Sequence, residues 1–232
     1  MPYVLGVDLG TTFTAAAICE PGAEPRMLSL GSNSYAVPSV VFLREDGSFL
    51  TGESAELQSA ADATRVARHF KRRLGDDTPL LLSDTAFRPE ELVAALLGWV
   101  VEEASNRRGE APARLVLTHP ANWGEFRTDL LAVAASTLGV GEVVLLSEPE
   151  AAAIHYVQLE RIAPDEIIGV YDLGGGTFDA VMMRRTNQGF EAVGRPVGIE
   201  RLGGVDFDDA IRSFVVEAAE LQDLDTAQEE VV

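Results

Sequence analysis

Two stretches of the sequence combine acidic, glycine and hydroxyl residues in an order that suits phosphate and metal binding. The first is YDLGGGTFDAV, residues 171–181, in which Asp172 ends an apolar run, three glycines follow, and Thr177 opens a second run. Consecutive residues without a Cβ can turn their backbone N–H groups into one concavity that holds a phosphate. A carboxylate beside a phosphate requires a cation between them, and Mg²⁺, which takes few protein ligands, fits that role.

The second stretch repeats this outline near the N-terminus. It is YVLGVDLGTTFTAAAI, residues 3–18, and it again places an aspartate, Asp8, after an apolar run and before glycine and hydroxyl residues. One such hairpin alone is more simply explained as a glycine turn in a sheet. Two copies favour another interpretation, in which two similar lobes face each other across one nucleotide–metal site.

Two charged residues outside the hairpins are further candidates. Lys71 is the one lysine among 18 basic residues, so it could mark a site that needs a compact ammonium rather than a guanidinium. Chance in an arginine-rich sequence explains the same count. Glu148 precedes Pro149 at the start of a predicted helix. Its carboxylate could lie at the mouth of the site, but the spacing alone favours an interaction of that carboxylate with the helix dipole.

Composition limits the class of protein. With 47% hydrophobic residues the chain can form a sizeable core, and its net charge of −19 argues against nucleic-acid binding. The apolar runs fall short of the roughly 20 residues of a membrane span, and the N-terminus does not resemble a signal peptide. The single cysteine predicts a reducing cytoplasm. The three histidines, His69, His119 and His155, have no metal-site spacing and are interpreted as packing or surface residues.

The elements that position these residues alternate between strands and helices, which predicts an α/β fold. Each hairpin belongs to a predicted meander, and a helix opening at Ser147 leads from one half of the chain to the other. The predicted strands cover residues 3–7, 12–19, 26–30, 39–43, 48–51, 113–118, 142–146, 167–172, 177–184 and 190–197. The predicted helices cover residues 53–74, 89–108, 125–138, 151–161 and 207–221, followed by an acidic tail, and residues 75–86 are a loop-rich connector.

Six motifs in order resemble the nucleotide-binding domain of heat-shock chaperones of the DnaK type. They are DLGTT at 8–12, FKRRLG at 70–75, FRPEEL at 87–92, SEPEAAAI at 147–154, DLGGGTFD at 172–179 and RLGGVDFD at 201–208. The resemblance implies an actin-like ATPase fold, which is a duplicated ribonuclease-H-like fold. It also implies ATP or ADP with Mg²⁺, and slow hydrolysis that switches a peptide-binding domain.

The resemblance also implies a role for each matching residue. Lys71, Glu148, Asp172 and Thr177 would be catalytic, and Asp8 and Asp172 would hold Mg²⁺ through water. The residues implied to contact the nucleotide are Gly10, Thr11, Thr12, Phe13, Gly174, Gly175, Gly176, Thr177, Gly203 and Gly204. Client peptides and co-chaperones would bind through parts of the protein outside this sequence.

The resemblance divides the chain into a complete lobe one at residues 1–165 and the beginning of lobe two at 166–232. The peripheral subdomain of lobe one, residues 34–107, is shorter than is usual in the family. Glu150 replaces a usual threonine, and the segment 119–123 matches only loosely. The segments that sandwich adenosine would lie beyond residue 232. We therefore expect weak ATP binding, poor discrimination between triphosphates, and self-association through open apolar faces around Ile167, Val170 and Val181.

Three other functions remain open on the sequence. A cell-shape-type actin-like filament protein carries a similar glycine hairpin, and the Phe178–Asp179 pair and Lys71 favour the chaperone over it. A sugar or acetate kinase on the same fold would need an acceptor pocket and a catalytic base that the sequence does not reveal. The third alternative is a nucleotide-binding module without turnover.

Overall fold

The computed structural model arranges the chain around a large mixed sheet and a second, antiparallel sheet, which one helix connects, and it describes residues 2–159, 162–187 and 189–219. The strands are β1 (Val4–Leu9), β2 (Phe13–Cys19), β3 (Arg26–Leu28), β4 (Ala36–Pro38), β5 (Val41–Leu43), β6 (Phe49–Thr51), β7 (Val66–Ala67), β8 (Leu80–Leu82), β9 (Thr85–Phe87), β10 (Arg114–His119), β11 (Glu142–Ser147), β12 (Ile167–Leu173), β13 (Phe178–Arg185) and β14 (Phe190–Ile199). The helices are α1 (Gly52–Ser59), α2 (Pro89–Arg108), α3 (Glu125–Ser136), α4 (Glu148–Leu159) and α5 (Gly204–Ala218).

The large sheet has the strand order β11-β10-β1-β2-β3, with β4 also paired to β2. β1 is antiparallel to β2 and parallel to β10, which is itself parallel to β11. Alternation along β1 buries Leu5, Val7 and Leu9, so the intervening Asp8 faces away from that core. The carboxyl ends of β1, β10 and β11 therefore meet at one edge, where polar side chains can converge.

Helices α2 and α3 contribute to the same core as this sheet. Pro89 occupies the first turn of α2, where its missing N–H costs nothing, and Gly109 ends the helix with a left-handed φ of 75°. Leu92, Leu96 and Val100 recur at helical spacing and are fully buried. The predicted bounds and core face of this helix are confirmed.

The predicted helix at residues 53–74 is wrong beyond α1. A 3₁₀ turn at Ala63–Arg65, the strand β7 and a second 3₁₀ turn at Phe70–Arg73 follow instead. Pairing of β7 with β5 in a small sheet, order β6-β5-β7, outweighs the weak helical preference of these residues. His69 adopts a left-handed φ of 54°, which interrupts any helix here. The predicted connector at 75–86 likewise contains a hairpin, β8–β9.

The second sheet, β12-β13-β14, is the antiparallel meander predicted for this part of the chain. Leu173 pairs with Phe178 across the glycine turn, so the three glycines form the hairpin loop. Helix α4 leaves β11 of the large sheet and packs on the second sheet, where Ala153 contributes to a cluster with Val181 and Met183. This helix connects the two sheets.

The expectation of an open face around Val181 is wrong for that residue, because α4 covers it and leaves it 6% exposed. The opposite face of the second sheet, which we call the outer face, is the uncovered one. On it, Tyr171 and Val197 flank Ala180 and are 78% and 67% exposed. Helix α5 has no buried residue. Its predicted end at residue 221 and the acidic tail lie outside the described residues.

No helix in the described part of the chain is long and apolar enough to cross a bilayer.

Candidate functional site

A cleft of about 490 Å³ lies where the ends of β1 and β12 meet the start of α4. Two glycine-containing loops, a cluster of carboxylates and the lysine form its walls. The lining residues are Asp8, Gly10, Thr11, Lys71, Thr118, Glu148, Ala151, Ala152, His155, Asp172, Gly174, Gly175, Gly176 and Thr177. The fold thus brings together most of the residues that the sequence analysis selected.

The two glycine-containing loops contact each other across this cleft. A Cβ on Gly176 would lie 2.6 Å from the Thr11 hydroxyl oxygen, and one on Gly175 would overlap the Thr12 side chain. Glycine is therefore required for this close approach. Among the described residues, the backbone N–H groups of Thr11, Thr12, Gly175 and Gly176 donate to no acceptor. Four such donors near one cleft form an arrangement suited to phosphate oxygens.

A buried hydroxyl pair supports the first of these loops. Ser39, which is 3% exposed, donates to the carbonyl oxygen of Gly10 at 2.8 Å, and its oxygen lies 2.8 Å from that of Thr14. The sequence analysis did not select Ser39, because it is distant in sequence and reaches the loop only through pairing of β4 with β2.

Three carboxylates, those of Asp8, Glu148 and Asp172, also line this cleft. Asp8 accepts a hydrogen bond from the Thr118 hydroxyl at 2.7 Å. Burial raises the pKa of Asp172, and the nearby charges of Glu148 and Asp8 raise it further, while Lys71 opposes the rise. Such mutual repulsion disfavours the ionised cluster unless a cation joins it.

Lys71 and Glu148 form a close ion pair inside the cleft. The Lys71 Nζ donates to Glu148 Oε1 at 2.6 Å, and the two side chains are only 6% and 14% exposed. The Trp123 ring lies 5.7 Å from the same ammonium, within the range of a cation–π contact. Glu148 lies in the first turn of α4, as the dipole interpretation requires, and it also lines the cleft.

Asp179 is an acidic residue of this region that the sequence analysis named only as part of a motif. It is 1% exposed, and neither carboxylate oxygen has a hydrogen-bond partner among the described residues. Burial, followed by the charges of Glu148 and Asp172, raises its pKa from 3.8 to about 6, while the Lys71 ammonium and the backbone of Asn122 oppose the rise. Asp179 shares the inward face of β13 with buried Val181 and Met183. A polar residue at this position of an apolar alternation is the sequence feature that could have identified it.

Four of the predicted nucleotide-contacting residues lie beside the cleft rather than on its wall. Thr12 and Phe13 line a neighbouring cavity of about 220 Å³. Gly203 packs against the backbone of the second glycine loop, and the Gly204 N–H donates to the Gly174 carbonyl at 3.0 Å. These last two glycines support the loop. His155, interpreted as a packing or surface residue, is exposed and lines the cleft.

The donor set suits a hydrated metal ion better than a bare one. Within the described ranges there is no group of three or more acidic, histidine or cysteine side chains placed to hold an ion directly. Mg²⁺ retains several waters and binds through one or two carboxylates together with phosphate oxygens. Asp8 and Asp172, which both line the cleft, fit that requirement.

Comparison with known proteins identifies the family. The family model for Hsp70 protein matches residues 80–232. The chaperone protein DnaK of Elusimicrobium minutum is 35% identical over 219 residues, covering 93% of this chain and 35% of the relative. DnaK of Thermosipho melanesiensis is 32% identical over 215 residues, covering 93% and 36%. The chain therefore spans about a third of the length of these curated relatives. The matches give no support to the filament alternative. The chain belongs to the Hsp70 family.

Proposed function

We propose that this chain contains the phosphate- and Mg²⁺-binding part of the ATP-hydrolysing domain of a DnaK-type chaperone. One observation carries the proposal: four backbone N–H groups without acceptors and a buried lysine meet a cluster of carboxylates near one cleft. In this interpretation residues 1–165 form lobe one, with a shortened peripheral subdomain at 34–107. Residues 166–232 then begin lobe two.

Each glycine loop would bind phosphate oxygens through its backbone. The N–H groups of Thr11 and Thr12 would donate from one side, and those of Gly175 and Gly176 from the other. Because both loops follow strands of rigid sheets, the donors are held in place before the ligand arrives, which reduces the cost of ordering them. The Thr177 hydroxyl, also on the cleft wall, would add a further donor.

Asp8 and Asp172 would hold Mg²⁺ through its coordinated waters. The bound metal would neutralise phosphate charge, which is the largest requirement in phosphoryl transfer. Burial is the main cause of the raised pKa of Asp172, and the repulsion from Glu148 and Asp8 that adds to it would then be relieved. This relief couples metal binding to ionisation of the cluster.

Lys71 and Glu148 would act on the transferred phosphate and the attacking water. The Lys71 ammonium would neutralise charge that develops on the terminal phosphate, and Glu148, 2.6 Å from it, would orient a water molecule. Hydrolysis would drive a conformational switch in the whole protein, which we place in the cytoplasm. Client peptides and co-chaperones would be its partners.

Calorimetric titration of the 232-residue chain with ATP tests the proposal. We expect binding in the presence of Mg²⁺ and much weaker binding without it. Gly176→Ala should abolish binding, because its Cβ would lie 2.6 Å from the Thr11 hydroxyl oxygen and 2.8 Å from Arg72 Cδ. Gly124→Ala is the matched control, since no atom lies within 4 Å of its Cβ position. Absence of binding to the parent chain under both conditions would overturn the proposal.

A further inference from the structure

Residues 200–206, here named the clasp segment, comprise the connection that follows β14 and the first residues of α5, and they contact the second glycine loop through the backbone. The Gly204 N–H donates to the Gly174 carbonyl at 3.0 Å, and the Val205 N–H donates to the Gly175 carbonyl at 2.9 Å. A Cβ on Gly203 would lie 2.6 Å from the Gly176 nitrogen. Displacement of the clasp segment would therefore move this loop as well.

The same segment is bound to the part of the chain around the large sheet by two arginine–carboxylate pairs. Arg72 donates through one nitrogen, Nη2, to both oxygens of Asp206, at 2.9 and 3.1 Å. Arg127 donates to both oxygens of Glu200, at 2.8 and 3.3 Å. The Arg127–Glu200 pair uses two nitrogens and is bidentate, which fixes orientation as well as distance. The two pairs connect positions 134 and 73 residues apart in sequence.

Three of these four residues lie beside the lysine of the cleft. A gap of about 10 Å³, about the size of one water molecule, is lined by Lys71, Arg72, Trp123, Arg127 and Glu200 among others. Loss of the Arg127–Glu200 pair would open this gap beside the Lys71 ammonium. The clasp segment thus contacts the phosphate loop on one side and the surroundings of Lys71 on the other.

We propose that Arg72, Arg127, Glu200 and Asp206 are positioning residues, which hold the clasp segment and the second glycine loop against the part of the site that carries Lys71. The identity of the ligand rests on the proposed function, but the mechanical link does not. None of the four side chains needs to touch the nucleotide. Their effect on binding is transmitted through the two backbone hydrogen bonds to residues 174 and 175.

The Arg127–Glu200 pair offers the cleaner test, because Arg72 is adjacent to Lys71. Arg127 and Glu200 are 25% and 54% exposed, so their pair should contribute modestly and weaken with added salt. Hydrogen exchange of the nucleotide-free chain would be followed at the hydrogen-bonded amides of Gly174, Gly204, Val205 and Asp206. We expect Arg127→Glu and Glu200→Arg each to accelerate exchange there by about three- to tenfold.

The double variant Arg127→Glu with Glu200→Arg should restore slow exchange, because the attraction is rebuilt with its charges reversed. The matched control is Arg114→Glu, which removes an exposed pair with Glu142 at the opposite end of β10 from Thr118 and should leave exchange unchanged. Unchanged exchange in the single variants would overturn the proposal. So would failure of the double variant to recover, since that would indicate lost packing rather than a lost ion pair.

Mg²⁺–ATP affinity supplies the second measurement. Each single variant should bind Mg²⁺–ATP at least about threefold more weakly than the parent chain, and the double variant should regain the parent affinity. Unchanged affinity in single variants of a chain that binds ATP would overturn the link to the phosphate loop. A parent chain that binds no ATP would refute the proposed function, and the exchange data would still decide whether the four residues position the loop.

Discussion

Asp179 makes stability depend on pH in a direction opposite to that of a paired surface carboxylate. Its pKa is raised from 3.8 to about 6, chiefly by burial and then by the charges of Glu148 and Asp172. Near neutral pH the folded chain must therefore keep an ionised, unpartnered carboxylate in its interior. Between the two pKa values the folded chain holds a proton that the unfolded chain has lost, so stability falls as the pH rises through this window.

The size of the effect follows from the shift. With about 1.4 kcal/mol for each pKa unit, the ionised side chain costs the folded state about 3 kcal/mol at pH 7.5, and about half of that at pH 5. Asp179→Asn removes the charge at every pH. The side-chain oxygen of Asn122, also buried and without a partner among the described residues, is available to accept from the new amide.

Urea unfolding of the Mg²⁺- and nucleotide-free chain at pH 7.5 and pH 5 measures this difference. We expect Asp179→Asn to raise the free energy of unfolding by about 3 kcal/mol at the higher pH and by about half as much at the lower. Asp129→Asn, at an exposed position on α3, is the control and should change little. An equal effect of Asp179→Asn at both pH values, or a loss of stability at pH 7.5, would refute the assignment of a buried charge.

Three further outcomes follow from the site and the second sheet. In the full-length protein, Lys71→Ala should reduce turnover by about 10²-fold with a much smaller change in ATP affinity, and Lys71→Arg should not restore it; parental turnover in Lys71→Ala would contradict its role. Asp8→Asn or Asp172→Asn should weaken ATP binding more with Mg²⁺ than without it, whereas equal losses would indicate a structural role. We also expect the chain to self-associate through its outer face, and Val197→Lys should reduce this in sedimentation velocity, while an unchanged profile would exclude that face.

The elements around the site could be predicted because local signals agreed with the tertiary structure. Both glycine hairpins have the predicted pairing, with Leu9 opposite Thr14 in one and Leu173 opposite Phe178 in the other. Pro89 and Gly109 mark the ends of α2 through backbone properties that depend on no distant contact. The actin-like ATPase fold that family membership implies agrees with this mixed α/β architecture.

The parts that could not be predicted depend on contacts between distant residues. Val66 and Ala67 form a strand only because β5 lies beside them, and no local pattern reveals that pairing. The Arg127–Glu200 and Arg72–Asp206 pairs join residues far apart in sequence. The unpartnered state of Asp179 likewise depends on what surrounds it in the fold. A charged residue within an apolar alternation indicated an unusual position without identifying its surroundings.

The central claim is that this cleft recognises phosphate and metal, and competition by inorganic tripolyphosphate tests it most directly. All the groups assigned to the ligand would contact phosphate or Mg²⁺, so neither adenine nor ribose is needed for binding to the 232-residue chain. We predict that Mg²⁺–tripolyphosphate and Mg²⁺–GTP displace Mg²⁺–ATP with affinities within about tenfold of its own, and that Gly176→Ala abolishes binding of all three. Failure of tripolyphosphate to bind, together with tight and adenine-selective binding of ATP, would contradict the account.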